Sequence, residues 1–384
     1  MKQLVLLYWG CVFLMYLSQT YYPVETQLDG PQTGKRHFML RRADIFMIVV
    51  IAWMTCFSFL RESYNDTASY ISDFMYLSDP LDRFLKNNNL LEVGSNSLFQ
   101  LYMSVVHNFT SNYHIFFFFP AIISSFVSVK FFKRYSANIA FSLLIFYSIG
   151  TYVMYIAAMK QSIAVGFLLL ALPYAIDKKY IKYYILVFIA MLFHTHAFVF
   201  LVVPLFFGKP WGKVTWFLLA AVLISMATYD VTFGALMNTA LSMGISIVDW
   251  ELFDGHSINL IRVVVYWIPA LLALFLRNRL FSDSTRTENL FANLSIGAAF
   301  VITIGLRQGA NLFARMAAYY EIAVGITLPW MINKLFTKQS AQLVSIAAIV
   351  LYFVYFLYEF GVSKNFGTDY SAITLWQFLQ SLFS

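Results

Sequence analysis

The sequence predicts an all-α, polytopic integral membrane protein, with about 10–11 transmembrane helices judged from the spacing of its apolar runs. Three observations predict it. The chain is 60% hydrophobic and only 12% charged, with 40 Phe and 25 Tyr among 384 residues. A soluble protein of this length cannot cover so much apolar surface with so few charges. Apolar runs recur from end to end. The formal charge of +7 is spread through short loops between those runs, which sets membrane topology and does not suit nucleic acid. We expect a single integral domain over residues 1–384, without internal repeats and with outward loops near 61–111 and 231–257.

The first run, Leu4 to Leu17, follows only Lys2 and precedes no small-residue cleavage site, so it reads as a retained span. Further runs lie near 44–60, 112–129, 137–156, 161–176, 183–207, 214–230, 258–276, 290–306, 316–333 and 341–360. The basic clusters between them are Lys35/Arg36/Arg41/Arg42, Lys130/Lys133/Arg134, Lys178/Lys179/Lys182, Lys209/Lys213, Arg277/Arg279/Arg286 and Lys334/Lys338. If every run crosses once, the first three clusters and the last three fall on opposite sides. Short basic loops should instead share the cytoplasmic side. A re-entrant helical hairpin at 183–207 removes the conflict, with ten full spans, all six clusters inside and both termini outside. Each arm then has about 12 residues, or roughly 18 Å. The turn falls near His194-Thr195-His196, at a depth where non-helical backbone must line a protein or water cavity. A single tilted span with basic residues outside is the alternative. Segments 66–76 and 96–106 have amphipathic helical spacing and suit the interface. Cys11 and Cys56 both lie in apolar runs, so no disulfide or metal framework is expected.

Four groups of polar residues stand out. His194 and His196 interrupt an apolar stretch, and an intramembrane ionisable residue is a functional candidate by default. Residues two apart on a continuous helix diverge by about 200°, so either the helix breaks there or one histidine is structural. The first outward loop opens with Arg61 and Glu62. On a helix, Glu62, Asp66 and Tyr70 share a face that suits sugar hydroxyls, or else forms the solvated side of an interfacial helix. Lys160 is the lone basic residue between the fourth and fifth runs; it either snorkels to headgroups or binds an anion. Finally, Arg307 precedes Asn311, Arg315 and Tyr319, which follow one another at four-residue spacing. An arginine inside an apolar helix costs about 2.5–3.5 kcal/mol and needs a partner or a cavity. Two guanidinium forks fit a phosphate or pyrophosphate; the bland alternative is a structural ion pair. Glu321 lies too far round the helix to serve Arg315. No DxD pair, Walker loop, GxGxxG, zinc spacing or nucleophile elbow is present. Neither a cofactor nor a metal is expected, and the energy of any reaction must arrive with the substrate.

Together these clusters resemble the EpsG family, grouped with the Wzy-type bacterial polysaccharide polymerases. The resemblance rests on Leu60-Arg61 with Asp66 and Tyr70, on Glu92 with Leu98 and Tyr102, on Lys160-Gln161-Ser162-Ile163-Ala164, on Phe193-His194-Thr195-His196-Ala197, and on Arg315 with Tyr319. Lys160 stands where the family usually has Arg, and His196 where it has Ser. The resemblance implies polymerisation of undecaprenyl-pyrophosphate-linked oligosaccharide units, as donor and acceptor, at the periplasmic face of the bacterial inner membrane. The product would be O-antigen, capsule or exopolysaccharide. Membrane lipids and a chain-length regulator protein are the implied partners. On that reading His194 is the general base, with Asp66 competing. Arg315, Arg307 and Lys160 hold the pyrophosphate, and Arg61, Glu62, Tyr70, Glu92, Tyr319, Gln161 and His196 position sugars. A lipid-linked oligosaccharide flippase and a membrane acyltransferase are the rival readings.

Overall fold

Each apolar run of the sequence forms a helix or a pair of helices in the computed structural model, which describes residues 2–22, 44–77, 81–87, 89–242, 256–363 and 369–383. The basic cluster at Lys35–Arg42 and the acidic residues Asp249, Glu251 and Asp254 lie outside the described residues. In order the elements are α1 (Lys2–Tyr21), α2 (Ile45–Phe59), β1 (Arg61–Ser63), α3 (Thr67–Met75), α4 (Leu81–Asn87), α5 (Ser97–Phe109) and α6 (Tyr113–Tyr135). There follow α7 (Ile139–Ser148), α8 (Thr151–Ala157), α9 (Met159–Ile176), α10 (Tyr180–Phe193), a 3-10 helix (Thr195–Phe207), α11 (Lys213–Ala227) and α12 (Tyr229–Ser242). The remainder comprises α13 (Leu260–Phe275), α14 (Arg277–Leu280), α15 (Arg286–Ile304), α16 (Ala310–Ala317), α17 (Ile322–Leu335), α18 (Lys338–Leu357), β2 (Ser371–Ala372) and α19 (Leu375–Ser381). The chain is an all-α polytopic membrane protein.

Among the described residues, five helices are long and apolar enough to cross a membrane, and α7 with α8 makes a sixth if the bent pair is one span. That is fewer membrane-length helices than the ten spans expected, because some runs are divided and others form apolar helices of only 14–16 residues. Gly150 sits at φ 85°, in the left-handed region that favours glycine, and the helices on either side of it meet at 57°. The run at 316–333 begins with a turn, so Arg315 belongs to a separate short helix, α16, instead of a spanning one. Polar caps fix the starts of other helices. Asn259 accepts from the Ile261 amide at the head of α13, and Thr285 with Glu288 forms a capping box on α15.

The 183–207 run turns back on itself. Tyr180, at the start of α10, accepts a hydrogen bond from Arg286 at 2.8 Å, while Phe207, at the end of the 3-10 helix, lies under the same guanidinium at 3.5 Å. Both ends of the run therefore meet one residue. The Tyr183 hydroxyl also donates to the Phe200 carbonyl across the hairpin. At 1.5 and 2.0 Å per residue the two arms measure roughly 21 and 26 Å, so the turn at His194 lies most of a bilayer's thickness from Arg286. A 3-10 helix of 13 residues is unusually long, and outside groups hold it. Its carbonyls accept from Tyr320 at Val199 and from Asn293 at Phe206.

Arg286 marks an end of the molecule where the described basic clusters gather. Tyr135, just beyond Lys133 and Arg134, packs on Phe291 at 5.1 Å, and Asn293 also holds the Gly208 carbonyl beside Lys209. Arg279 donates to the Leu335 carbonyl, and Lys334 pairs with Asp283 at 2.9 Å. Five clusters thus share one side, as the hairpin arrangement requires. Cysteines placed at Lys178 and Lys209, in a chain lacking Cys11 and Cys56, are expected to react with an impermeant thiol reagent from the same side, and one at Glu62 from the other. Reaction of the first two from opposite sides would exclude the hairpin.

At the opposite end β1 pairs antiparallel with β2, so residues 369–383 strap the loop that carries Asp66. Tyr370 stacks on Phe57 at 4.2 Å and donates to its carbonyl, and Phe378 packs against Phe59. This strand overturns the helical stripe expected for Glu62, Asp66 and Tyr70. Glu62 lies in β1 and is exposed, whereas Asp66 and Tyr70 share the first turn of α3. The amphipathic segments at 66–76 and 96–106 do form helices, α3 and α5.

Candidate functional site

Asp66 stands at the head of α3, after Asn65 has turned the chain through a left-handed φ of 44°. The Arg61 guanidinium secures that turn from beneath. It is fully enclosed, donates to Thr67 Oγ1 at 2.9 Å and to the Ser58 carbonyl, and stacks 4.2 Å above Phe117. Burial pulls its pKa down to about 10, which leaves it protonated at neutral pH. Arg61 therefore fastens the loop from within. Tyr70, one turn along α3, is also buried; burial first and Asp66 second push its phenol up to about 12, and its hydroxyl bonds to the Lys160 backbone.

Across from Asp66, α16 presents Arg315. The two form an ion pair with Nη2 3.2 Å from Oδ2, the Arg315 side chain about one quarter exposed. This is the partner that an arginine in this apolar sequence requires, and it is not Glu321. The Glu321 carboxylate is buried and accepts instead from Tyr266 and, at 2.7 Å, from Thr151. Gln161, fully buried in the first turn of α9, donates to the Arg315 backbone carbonyl at 2.6 Å. Beside it Lys160 is half-buried, with Nζ 5.4 Å from the Phe99 ring.

Arg315 and Asp66 border a cleft of about 290 Å³. Its polar lining adds Asn65, Ser257, Asn259, Asn311 and Arg262, while Val153, Met154, Ala157 and Ala314 form an apolar wall. Gly309 shapes the adjoining turn. It sits at φ 71°, and a Cβ there would lie 3.1 Å from the Tyr229 hydroxyl. A second cleft of about 200 Å³ lies at the basic end, between the 3-10 helix, α11 and α15, and holds none of the candidate residues.

His194 closes α10 in an extended conformation, so of the two outcomes the spacing allowed, the helix breaks. The break brings the His194 and His196 rings together, with centroids 4.8 Å apart and planes at 86°. His194 Nδ1 lies 2.6 Å from the hydroxyl of fully buried Tyr319, four residues beyond Arg315. His194 is nonetheless outside the lining of the Asp66–Arg315 cleft; the segment from Arg315 to Tyr319 connects the two groups.

Asp66, Arg315, Gln161, Lys160, Tyr70, His194, His196 and Tyr319 thus gather at one end of the molecule. Two further candidates stand apart. Arg307 is exposed on the turn before α16, outside the cleft lining. Glu92 is exposed on the loop before α5, where Ser95 donates to its backbone carbonyl at 3.1 Å. Sequence reasoning missed Arg262, nine-tenths buried on the floor of the cleft. Its signal was the one that flagged Arg315, a lone arginine in an apolar run. Among the described residues no group of three His, Cys, Asp or Glu is placed to hold a metal ion.

A profile described as the EpsG family matches residues 44–373 of the 384. The chain therefore belongs to the EpsG family, whose members are Wzy-like polysaccharide polymerases. No curated protein and no solved structure matches it.

Proposed function

From that membership we propose that the protein lengthens a bacterial surface polysaccharide by moving a growing glycan from a polyprenyl-pyrophosphate carrier onto the next lipid-linked unit. The observation that carries this reading is the Asp66–Arg315 pair at the edge of a polar cleft. The cleft faces away from the basic end, which the charge rule assigns to the cytoplasm, so the reaction belongs to the outer side of the inner membrane.

In the reaction an acceptor hydroxyl attacks the anomeric carbon and forms the new glycosidic bond. The carbon–oxygen bond to the carrier breaks, pyrophosphate departs with the electron pair, and the hydroxyl proton passes to a base. Arg315 neutralises charge that grows on the departing oxygen, where a preorganised cation has its largest effect. A phosphate that engages Arg315 competes with Asp66 and frees that carboxylate to orient a sugar hydroxyl. Lys160 adds positive field beside the site, and Asn65, Asn259 and Asn311 offer amide groups to sugar hydroxyls.

His194 is the proposed general base. If Nδ1–H donates to the Tyr319 oxygen, Nε2 keeps its lone pair for the proton; the opposite tautomer would make Nε2 a donor and useless as a base. The Tyr319 hydroxyl can accept as well as donate, so the contact is compatible with the tautomer a base needs, and His196 stands edge-on to the ring.

Purified protein in liposomes, supplied with a polyprenyl-pyrophosphate-linked oligosaccharide, should yield products one, two and more repeats longer. Movement of the substrate between leaflets without any longer product would favour a flippase instead.

A further inference from the structure

The lining of the cleft contains three charged residues, Asp66, Arg315 and Arg262. We propose that Arg262 and Arg315 together form the clamp for the substrate's diphosphate, with Arg262 in the place that residue spacing assigned to Arg307. This assignment rests on the lipid-diphosphate reading above and names a residue for it.

Arg262 lies in the first turn of α13, a helix that is otherwise apolar on every side. An arginine there is expensive unless the fold supports it, and the support is visible. Its guanidinium sits 6.0 Å from the Tyr266 ring, one turn further on. The Tyr266 hydroxyl is bound to Glu321, whose other oxygen takes the Thr151 hydroxyl at 2.7 Å. Glu321 and Glu359 both act electrostatically on Arg262. These buried carboxylates compensate the cost of enclosing the cation and restrict its motion. A side chain already held in place gives up little further entropy when it meets a ligand.

The two arginines come from different helices, α13 and α16, and approach the cleft from different elements. A diphosphate offers oxygens on two phosphorus atoms, so two planar forks engage it better than one, whereas a monophosphate needs only one. Asp66 is the one carboxylate in that lining, and a diphosphate that displaces it meets both guanidinium groups. Arg307 is exposed on its turn and outside that lining, and an exposed cation is screened by water and salt.

The test is a binding titration of the full-length protein in detergent with farnesyl diphosphate and, separately, farnesyl monophosphate. The wild type should prefer the diphosphate. Arg262→Gln should weaken diphosphate binding roughly 10–100-fold and remove that preference, with a smaller loss for Arg307→Gln. Arg262→Lys keeps a charge beside Glu321 and therefore the fold, yet should also lose the preference, because an ammonium lacks the fork. Wild-type diphosphate preference persisting in both folded Arg262 variants, or a larger loss for Arg307→Gln, would overturn the assignment while leaving the polymerase reading intact. A wild type that binds neither probe would overturn the lipid-diphosphate reading and this assignment with it.

Discussion

Arg315→Ala is expected to lower the elongation rate about 100- to 1,000-fold, the usual effect of removing one preorganised group that stabilises charge in a transition state. Its melting temperature should barely move. The pair it breaks is part-exposed, with the Asp66 side chain 42% accessible, and such pairs contribute about 0–1 kcal/mol to stability. A large activity loss beside a small stability loss is what separates a binding arginine from a structural one. Arg315→Lys should recover only part of the activity, since Lys keeps the charge without the two-pronged geometry. Equal losses of stability and activity would mean that the ion pair serves only to hold α16 against α3.

His194→Ala should cost about 100- to 10,000-fold in rate, the range for loss of a general base. The pH–rate profile should lose its acidic limb at the same time, because no imidazole remains to be protonated. Tyr319→Phe keeps the ring packing but removes the 2.6 Å contact to Nδ1, so it should slow the reaction without erasing that limb. His196→Ala should have the smallest effect of the three, since His196 only touches the His194 ring edge-on. Should His194→Ala keep the acidic limb while Asp66→Asn loses it, the base is Asp66, which already lines the cleft.

The sequence made some of this legible because membrane physics leaves few choices. Apolar runs had to become helices, and basic loops had to share a side. The hairpin at His194 followed from that constraint, and the contacts of Tyr180 and Phe207 with Arg286 agree with it. What stayed hidden depended on contacts far apart in the chain. Glu62 looked helical because nothing near it announces a strand; its partner, β2, lies some 300 residues later. Arg61 looked like a surface ligand, yet Thr67, Ser58 and Phe117 enclose it. Arg315 needed a partner or a cavity inside a span; the turn at 318–321 places it on a short helix, where Asp66 of the first outward loop is that partner. Arg307 and Arg315 are near in sequence, and proximity along the chain made them a pair. The cleft lining instead holds Arg315 together with Arg262, from a helix that begins some 50 residues earlier.

If the Asp66–Arg315 cleft and the His194–Tyr319 pair carry out glycan elongation, both must be intact for long surface glycans to form. The decisive comparison is a gel of the surface glycans of cells whose only copy is wild type, Arg315→Ala or His194→Ala, at matched protein levels. The wild type should give a long ladder and each variant a single repeat unit, since units still reach the outer face but are not joined. Full-length ladders from both variants would contradict the proposed site, and loss of even the single unit would point to transport instead of polymerisation.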